Sequence, residues 1–241
     1  MQRHRVDAQP AYVLHSYPFR ETSLIVEAFT RDFGRIALVA RGARRPRSAI
    51  RGMLMAFQPL ELGWAGKGEV PTLMKAEWQG GLALLGGHAL FCAYYLNELL
   101  MHLLPREDAH ERLFQEYVRM LHCLSADPLG RVNERDLRGF ERVLLQELGY
   151  GLTLDRDNEG RPIDPSGRYA YQVDQGPILL PRGSRESPSF GGRALLDLGK
   201  GDFADPRSLQ ESKQLMRGLL THYLAGVELE TRKIFKELRE L

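Results

Sequence analysis

From residue 11 to 78 apolar and β-branched side chains recur in short runs bounded by glycine, proline and polar turns, the signature of strands. The spacing predicts five of them, at Tyr12–His15, Ser23–Thr30, Arg35–Arg41, Met53–Gly63 and Glu69–Trp78. The second and third are joined by Arg31-Asp32-Phe33-Gly34, whose glycine suits a left-handed turn position and so predicts a hairpin. In the third run Ile36, Leu38 and Ala40 alternate with Ala37, Val39 and Arg41, so one face belongs to a core. Five short strands in this length point to a small closed barrel, because an open sheet would leave its edges unprotected. The five-stranded OB-fold is the common closed solution that binds oligonucleotides.

After Gly80-Gly81 the period changes from two to the helical one. Leu96, Leu99, Leu100 and Leu103 mark a first helix in a region beginning near residue 82. Leu113, Tyr117, Met120, Leu121 and Leu124 mark a second, stopped near Asp127-Pro128. Leu137, Phe140, Val143, Leu144 and Leu148 mark a third, ending at Gly149. Residues of about 152–190 are polar and turn-rich, apart from a hairpin-like stretch where Tyr169, Tyr171 and Val173 precede Asp174-Gln175-Gly176. Two helices follow, around 207–225 and 228–240. The expected architecture is therefore α+β: an OB barrel over 1–80, then a mainly α-helical domain over 81–241 with an irregular insert.

Charge separates these halves. The chain of 241 residues carries a net +2, but residues 1–80 hold twelve Lys/Arg against seven Asp/Glu, and the rest twenty-one against twenty-four. No acid occurs from Phe33 to Leu60, a stretch that carries Arg35, Arg41, Arg44, Arg45, Arg47 and Arg51. An arginine-rich loop joining two barrel strands can follow a phosphate backbone through guanidinium contacts, which carry affinity without sequence preference. Lys67 and Lys75 are expected to assist. Among the barrel aromatics most must fill the core, and Phe19 and Trp64 are the first candidates for stacking on bases.

Other chemistry finds little support. Gly63-Trp64-Ala65-Gly66-Lys67-Gly68 lacks the spacing of a phosphate loop and its hydroxyl residue, and the seven histidines form no metal-binding spacing. Cys92 and Cys123 fall in helical patterns and read as free thiols. No nucleophile motif is present, so neither a catalytic residue, a metal nor another cofactor is expected. No apolar run reaches the roughly 18 residues of a membrane span, and residues 1–10 lack a signal-peptide core; a cytoplasmic, nucleoid-associated protein is the expectation.

The pattern Ala11–His15, Glu21–Leu24, Phe29-Thr30, Gly34-Arg35 and Val39–Arg44 resembles the N-terminal barrel of the bacterial RecO family of recombination mediators. Tyr95–Leu100, Arg138, Phe140-Glu141, Leu144-Leu145, Leu148–Gly151 and Arg232–Phe235 extend the likeness over nearly the whole chain. The resemblance implies binding of single- and double-stranded DNA, annealing of complementary strands, and cooperation with RecR in placing RecA on DNA coated by single-strand-binding protein (SSB). It also implies capture of the acidic SSB tail, here assigned to Arg138, Phe140, Arg142, Leu144 and Leu145. Many members carry a four-cysteine zinc knuckle; residues 150–180 contain no cysteine, which places this chain with the metal-free branch. Two rival readings are an enzyme that modifies nucleic acid and an RNA-binding OB module.

Overall fold

The computed structural model describes residues 4–127 and 134–234. Its elements are β1 (His4–Phe19), β2 (Ser23–Thr30), β3 (Gly34–Ala40), α1 (Ala49–Met53), β4 (Leu60–Gly66), β5 (Thr72–Trp78), α2 (Gly87–Leu103), α3 (Glu111–Ala126), α4 (Glu134–Glu147), β6 (Arg168–Gln172), β7 (Gly176–Leu179), β8 (Phe190–Gly191), α5 (Gly192–Lys200) and α6 (Pro206–Tyr223). The first five strands close into a barrel of order β1-β2-β3-β5-β4, the OB-fold foreseen from the strand pattern.

β1 makes closure possible by serving two neighbours. Its first half pairs with β4 and its second with β2, and Ala11 pairs with both Leu60 and Thr30. Register shifts between Val6 and Gln9 and between Val13 and His15 bend it, as bulges do. The last joint is parallel, Val39 beside Thr72, with the Val39 amide donating to the Pro71 carbonyl at 2.9 Å. Inside lie Val26 and Ala28 from β2, Ile36, Leu38 and Ala40 from β3, and Leu60, Leu62 and Trp64 from β4. The alternation read in the third run is thus the core face.

Three departures have local causes. β1 is sixteen residues long, where only Tyr12–His15 were expected, because its polar outer positions hide the strand signal. The apolar alternation of Met53, Met55 and Phe57 is not a strand. Residues 49–53 are helical, Phe57 has φ +66°, and β4 begins only after Pro59, which has no amide to give a ladder. β5 likewise starts after Pro71.

The chain forms two compact units. Among the described residues the first comprises 4–127 with 229–234, and the second 134–228. The change of periodicity at residue 80 is therefore not where packing divides, since α2 and α3 go with the barrel. Tyr12 and Phe29 meet Phe114 and Tyr117 of α3, with ring centroids 5.3–5.9 Å apart. Asn97 of α2 donates to the Leu14 carbonyl at 2.8 Å and accepts from the Tyr117 hydroxyl at 2.5 Å. Gly34 has φ +65°, and a Cβ there would lie 1.8 Å from the Asp108 carbonyl oxygen, so the α2–α3 connection crosses where only glycine fits. Glu98 then accepts the Glu230 and Thr231 amides and the Thr231 hydroxyl, capping the helical residues 230–234. The expected continuation of that helix, Phe235 included, lies outside the described residues.

In the second unit α4 packs on α6, and a small sheet of order β7-β6-β8 contains the expected hairpin, turning before Gly176. α5 was not foreseen; its nine residues are too few to show a clear helical period. The loop before β6 is held by Asp157, whose carboxylate accepts the amides of Glu159 and Arg161 and the Arg161 guanidinium at 2.7–3.0 Å.

Candidate nucleic-acid interface

The connection from β3 to α1 alternates anchors with charges. Ala43 is fully buried in the barrel core and Ile50 packs against it, while Arg41, Arg44, Arg45, Arg47 and Arg51 are exposed. Successive turns hold the backbone: the Arg45 amide donates to the Gly42 carbonyl at 3.1 Å, Ser48 to Arg45 at 3.1 Å and Arg51 to Ser48 at 3.3 Å. Gly42, at φ +68°, provides the left-handed position that starts them. The arginines therefore project from a braced loop, a geometry that limits the ordering cost of meeting a phosphate chain.

This loop is tied to the β1–β2 turn. The Arg44 amide donates to the Thr22 carbonyl at 2.9 Å, and its guanidinium to the carbonyls of Arg20 and Glu21 at 3.3 and 3.4 Å. Arg20 lies in that turn with its guanidinium carbon 5.1 Å above the Phe19 ring. It joins the basic surface although it lies twenty-one positions before Arg41, and nothing local in the sequence marks it. Among the described residues, Arg41, Arg45, Arg47, Arg51 and Lys67 have no acidic partner.

Three expected members do not join this surface. Arg35 donates to Glu27 at 3.0 Å and to the Leu104 carbonyl at 2.9 Å, and its side chain is 13% exposed. The acid-free window from Phe33 to Leu60 misled here, because antiparallel pairing brings Glu27 beside Arg35 from the neighbouring strand. Arg106 also pairs with Glu27, so this cluster fastens the α2–α3 connection to the barrel. Lys75 pairs with Glu77 at 2.9 Å and lies 4.0 Å from Glu61; the bond to Glu77 raises its pKa and offsets its charge. Trp64 is 6% exposed, part of the barrel core, with its ring edge to Phe33 at 5.2 Å; burial removes it as a platform for bases. Lys67 stays exposed beyond β4, beside a cleft of about 650 Å³ lined in part by Phe33, Trp64 and Pro71. Phe19 remains partly accessible.

The residues assigned to the SSB tail sit on α4 in a different state. Phe140, Leu144 and Leu145 have no exposed surface, and Arg138, 8% exposed, is paired with the buried Glu141 at 2.6 Å. Arg142 donates to Gln146 at 3.2 Å. The apolar side chains assigned to the tail are on the packing face of this helix.

Among the described residues no group of three or more His, Cys, Asp or Glu could hold a metal, and no helix is long and apolar enough to cross a membrane. A four-thiolate zinc site does not fit this chain: Cys92 lies in α2 and Cys123 in α3, and Asp157 braces the loop where the knuckle would be.

A family model described as recombination protein O, N terminal, matches residues 1–81, and one described as recombination protein O, C terminal, matches 85–233. The chain is 69% identical to a DNA repair protein RecO of Dechloromonas aromatica over 99% of both chains. It is 52% identical to one of Aromatoleum aromaticum over 100% of this chain and 99% of that one. A third, of Nitrosospira multiformis, is 51% identical over the same shares.

Proposed function

The chain belongs to the RecO family of DNA repair and recombination proteins, and on that premise we propose that it binds single- and double-stranded DNA through the arginine end of its barrel. Complementary strands are annealed there, because the arginines neutralise phosphate repulsion while leaving the bases available to pair. With RecR, the protein then assists RecA onto DNA coated by SSB. The observation that carries this reading is the row of exposed arginines without acidic partners, each placed by a turn and none needed to balance a charge of the protein itself. The tail of SSB is a further proposed partner. Phe140, Leu144 and Leu145, buried in the packing of α4, offer that tail no exposed apolar side chain.

Each phosphate contact releases counterions, by roughly 0.7 of a unit in the log–log salt slope for a single strand. Replacing Arg41, Arg45 and Arg47 together by alanine removes no bond within the fold and is expected to lower that slope by about two. The readout is anisotropy of a labelled oligothymidylate over a salt series. Unchanged affinity and slope would falsify the assignment.

A further inference from the structure

The tip of the β1–β2 hairpin carries an aromatic row that charge analysis does not reveal. Beyond the bulge at Leu14, His15 pairs with Glu27, Tyr17 with Ile25 and Phe19 with Ser23. Between them Ser16 and Pro18 pair with Val26 and Leu24, which pack into or against the barrel core. Alternation along the strand therefore sets His15, Tyr17 and Phe19 together on the outer face. His15 and Tyr17 touch, with ring centroids 4.4 Å apart and planes tilted by 59°, and Tyr17 is 41% exposed. Arg20 continues the row with its guanidinium over Phe19.

The core residues of β1, Ala11 and Val13, lie before the bulge, and Ser16 and Pro18 beyond it are exposed like His15 and Tyr17, so an exposed tyrosine beside an exposed histidine here does no packing work for the barrel. The row runs directly into the turn that Arg44 grips through the carbonyls of Arg20 and Glu21. Glu21 is the one acid of the turn, and the five loop arginines outweigh it; Glu27, opposite His15, is buried and taken up by Arg35 and Arg106. Flat rings next to a phosphate-binding loop match the combination by which single strands are held without sequence preference: charge tracks the backbone and rings take the bases. We infer that His15, Tyr17, Phe19 and Arg20 form a ledge on which the bases of single-stranded DNA stack while its phosphates lie along the β3–α1 loop. This rests on the DNA reading above and adds to it a preference for strands with accessible bases.

The test compares oligothymidylate with an abasic oligomer of equal length, which keeps the phosphates and lacks the bases. The parent protein is expected to favour oligothymidylate by about tenfold or more, given what stacking contributes per base. A Tyr17→Ala/Phe19→Ala protein, folded by circular dichroism, is expected to lose that preference while holding its affinity for the abasic oligomer and its salt slope. Tyr17→Trp is expected to keep the preference. A double variant that retains the preference, or that weakens on both oligomers alike, overturns the ledge. Parent protein that binds both oligomers equally with a steep salt dependence overturns it too and leaves the arginine loop standing, whereas the absence of salt-dependent binding removes the DNA reading beneath both.

Discussion

Helix α4 and the connection between β3 and α1 both mix arginines with apolar side chains, and they end in opposite states. In α4, Arg135, Arg138 and Arg142 are interspersed with Glu134, Asp136, Glu141 and Glu147, and helical spacing sets Glu141 three residues from Arg138, close enough to pair. In the loop five arginines occupy residues 41–51 with no acid among them, and turns point them outward while Ala43 and Ile50 go in. In α4 Arg138 and Arg142 are engaged within the fold and only Arg135 stays exposed, whereas all five loop arginines are exposed without an acidic partner. The contrast shows that an arginine becomes a candidate contact only after every acid that the fold can bring to it has been counted.

The largest effect expected from breaking this contrast lies in α4. Arg138→Ala leaves Glu141, which has no exposed surface, without its arginine, and losing one partner of a buried pair costs about 3–5 kcal/mol. Urea unfolding is expected to report that loss, with DNA affinity of the folded protein unchanged. The double variant Arg138→Leu/Glu141→Leu is expected to recover most of the stability, since well-packed apolar residues replace such pairs at little cost. A midpoint for Arg138→Ala within error of the parent would show that the pair does not hold α4.

How much of this was legible along the chain depends on whether the deciding partner was local. β2 was read at its true bounds and β3 within one residue, because β-branched side chains and a turn glycine act over a few positions. The arginine loop was legible because its lack of acid is itself local. Arg35 was misread because Glu27 reaches it only through strand pairing, and Trp64 because a tryptophan that fills a barrel and one that faces solvent have the same sequence context. Tyr17 was overlooked for the converse reason: exposure depends on which face of a bent strand it occupies, and the bulge at Leu14 changes that face. The allegiance of α2 and α3 to the barrel rests on Asn97, Tyr117 and Gly34, whose partners lie up to 83 residues away.

An intermediate effect is expected at Asp157, where the second unit uses a charge internally in another way. Burial by itself raises the pKa of this carboxyl, but the Arg161 guanidinium and the amides of Arg161 and Glu159 outweigh it and hold the group below the usual carboxylate range. Asp164 and Asp205 are also lowered, by hydrogen bonds from Ser166 and Ser208. A folded value below the unfolded one means that the stabilisation is complete above the unfolded pKa, about 3.9 for Asp, and is lost as pH falls through the folded value. Asp157→Asn is therefore expected to lower the urea midpoint at pH 7, by less than Arg138→Ala does, and to flatten its further fall towards pH 3. Equal midpoints for variant and parent across that range would rule out the Asp157 brace.

The smallest effect on stability is expected in the loop, and that is what makes it informative. Arg45 and Arg47 have no acidic partner and no bond from their guanidinium groups within the described residues, so Arg45→Ala and Arg47→Ala remove only solvated charge. Their unfolding free energies are expected to stay within about 0.5 kcal/mol of the parent, or to rise slightly as repulsion among neighbouring arginines falls. Arg44 differs, because its guanidinium bridges two carbonyls of the β1–β2 turn; Arg44→Ala is expected to lose up to about 1 kcal/mol and to loosen the turn that positions Arg20 and Phe19. The salt slope separates the two roles. Arg45→Ala and Arg47→Ala should each lower it by roughly 0.7 with stability unchanged, whereas Arg44→Ala should change both. A loop in which Arg45 matters for unfolding as much as Arg44 would be one whose charges serve the fold, and the distinction between the barrel end and α4 would collapse.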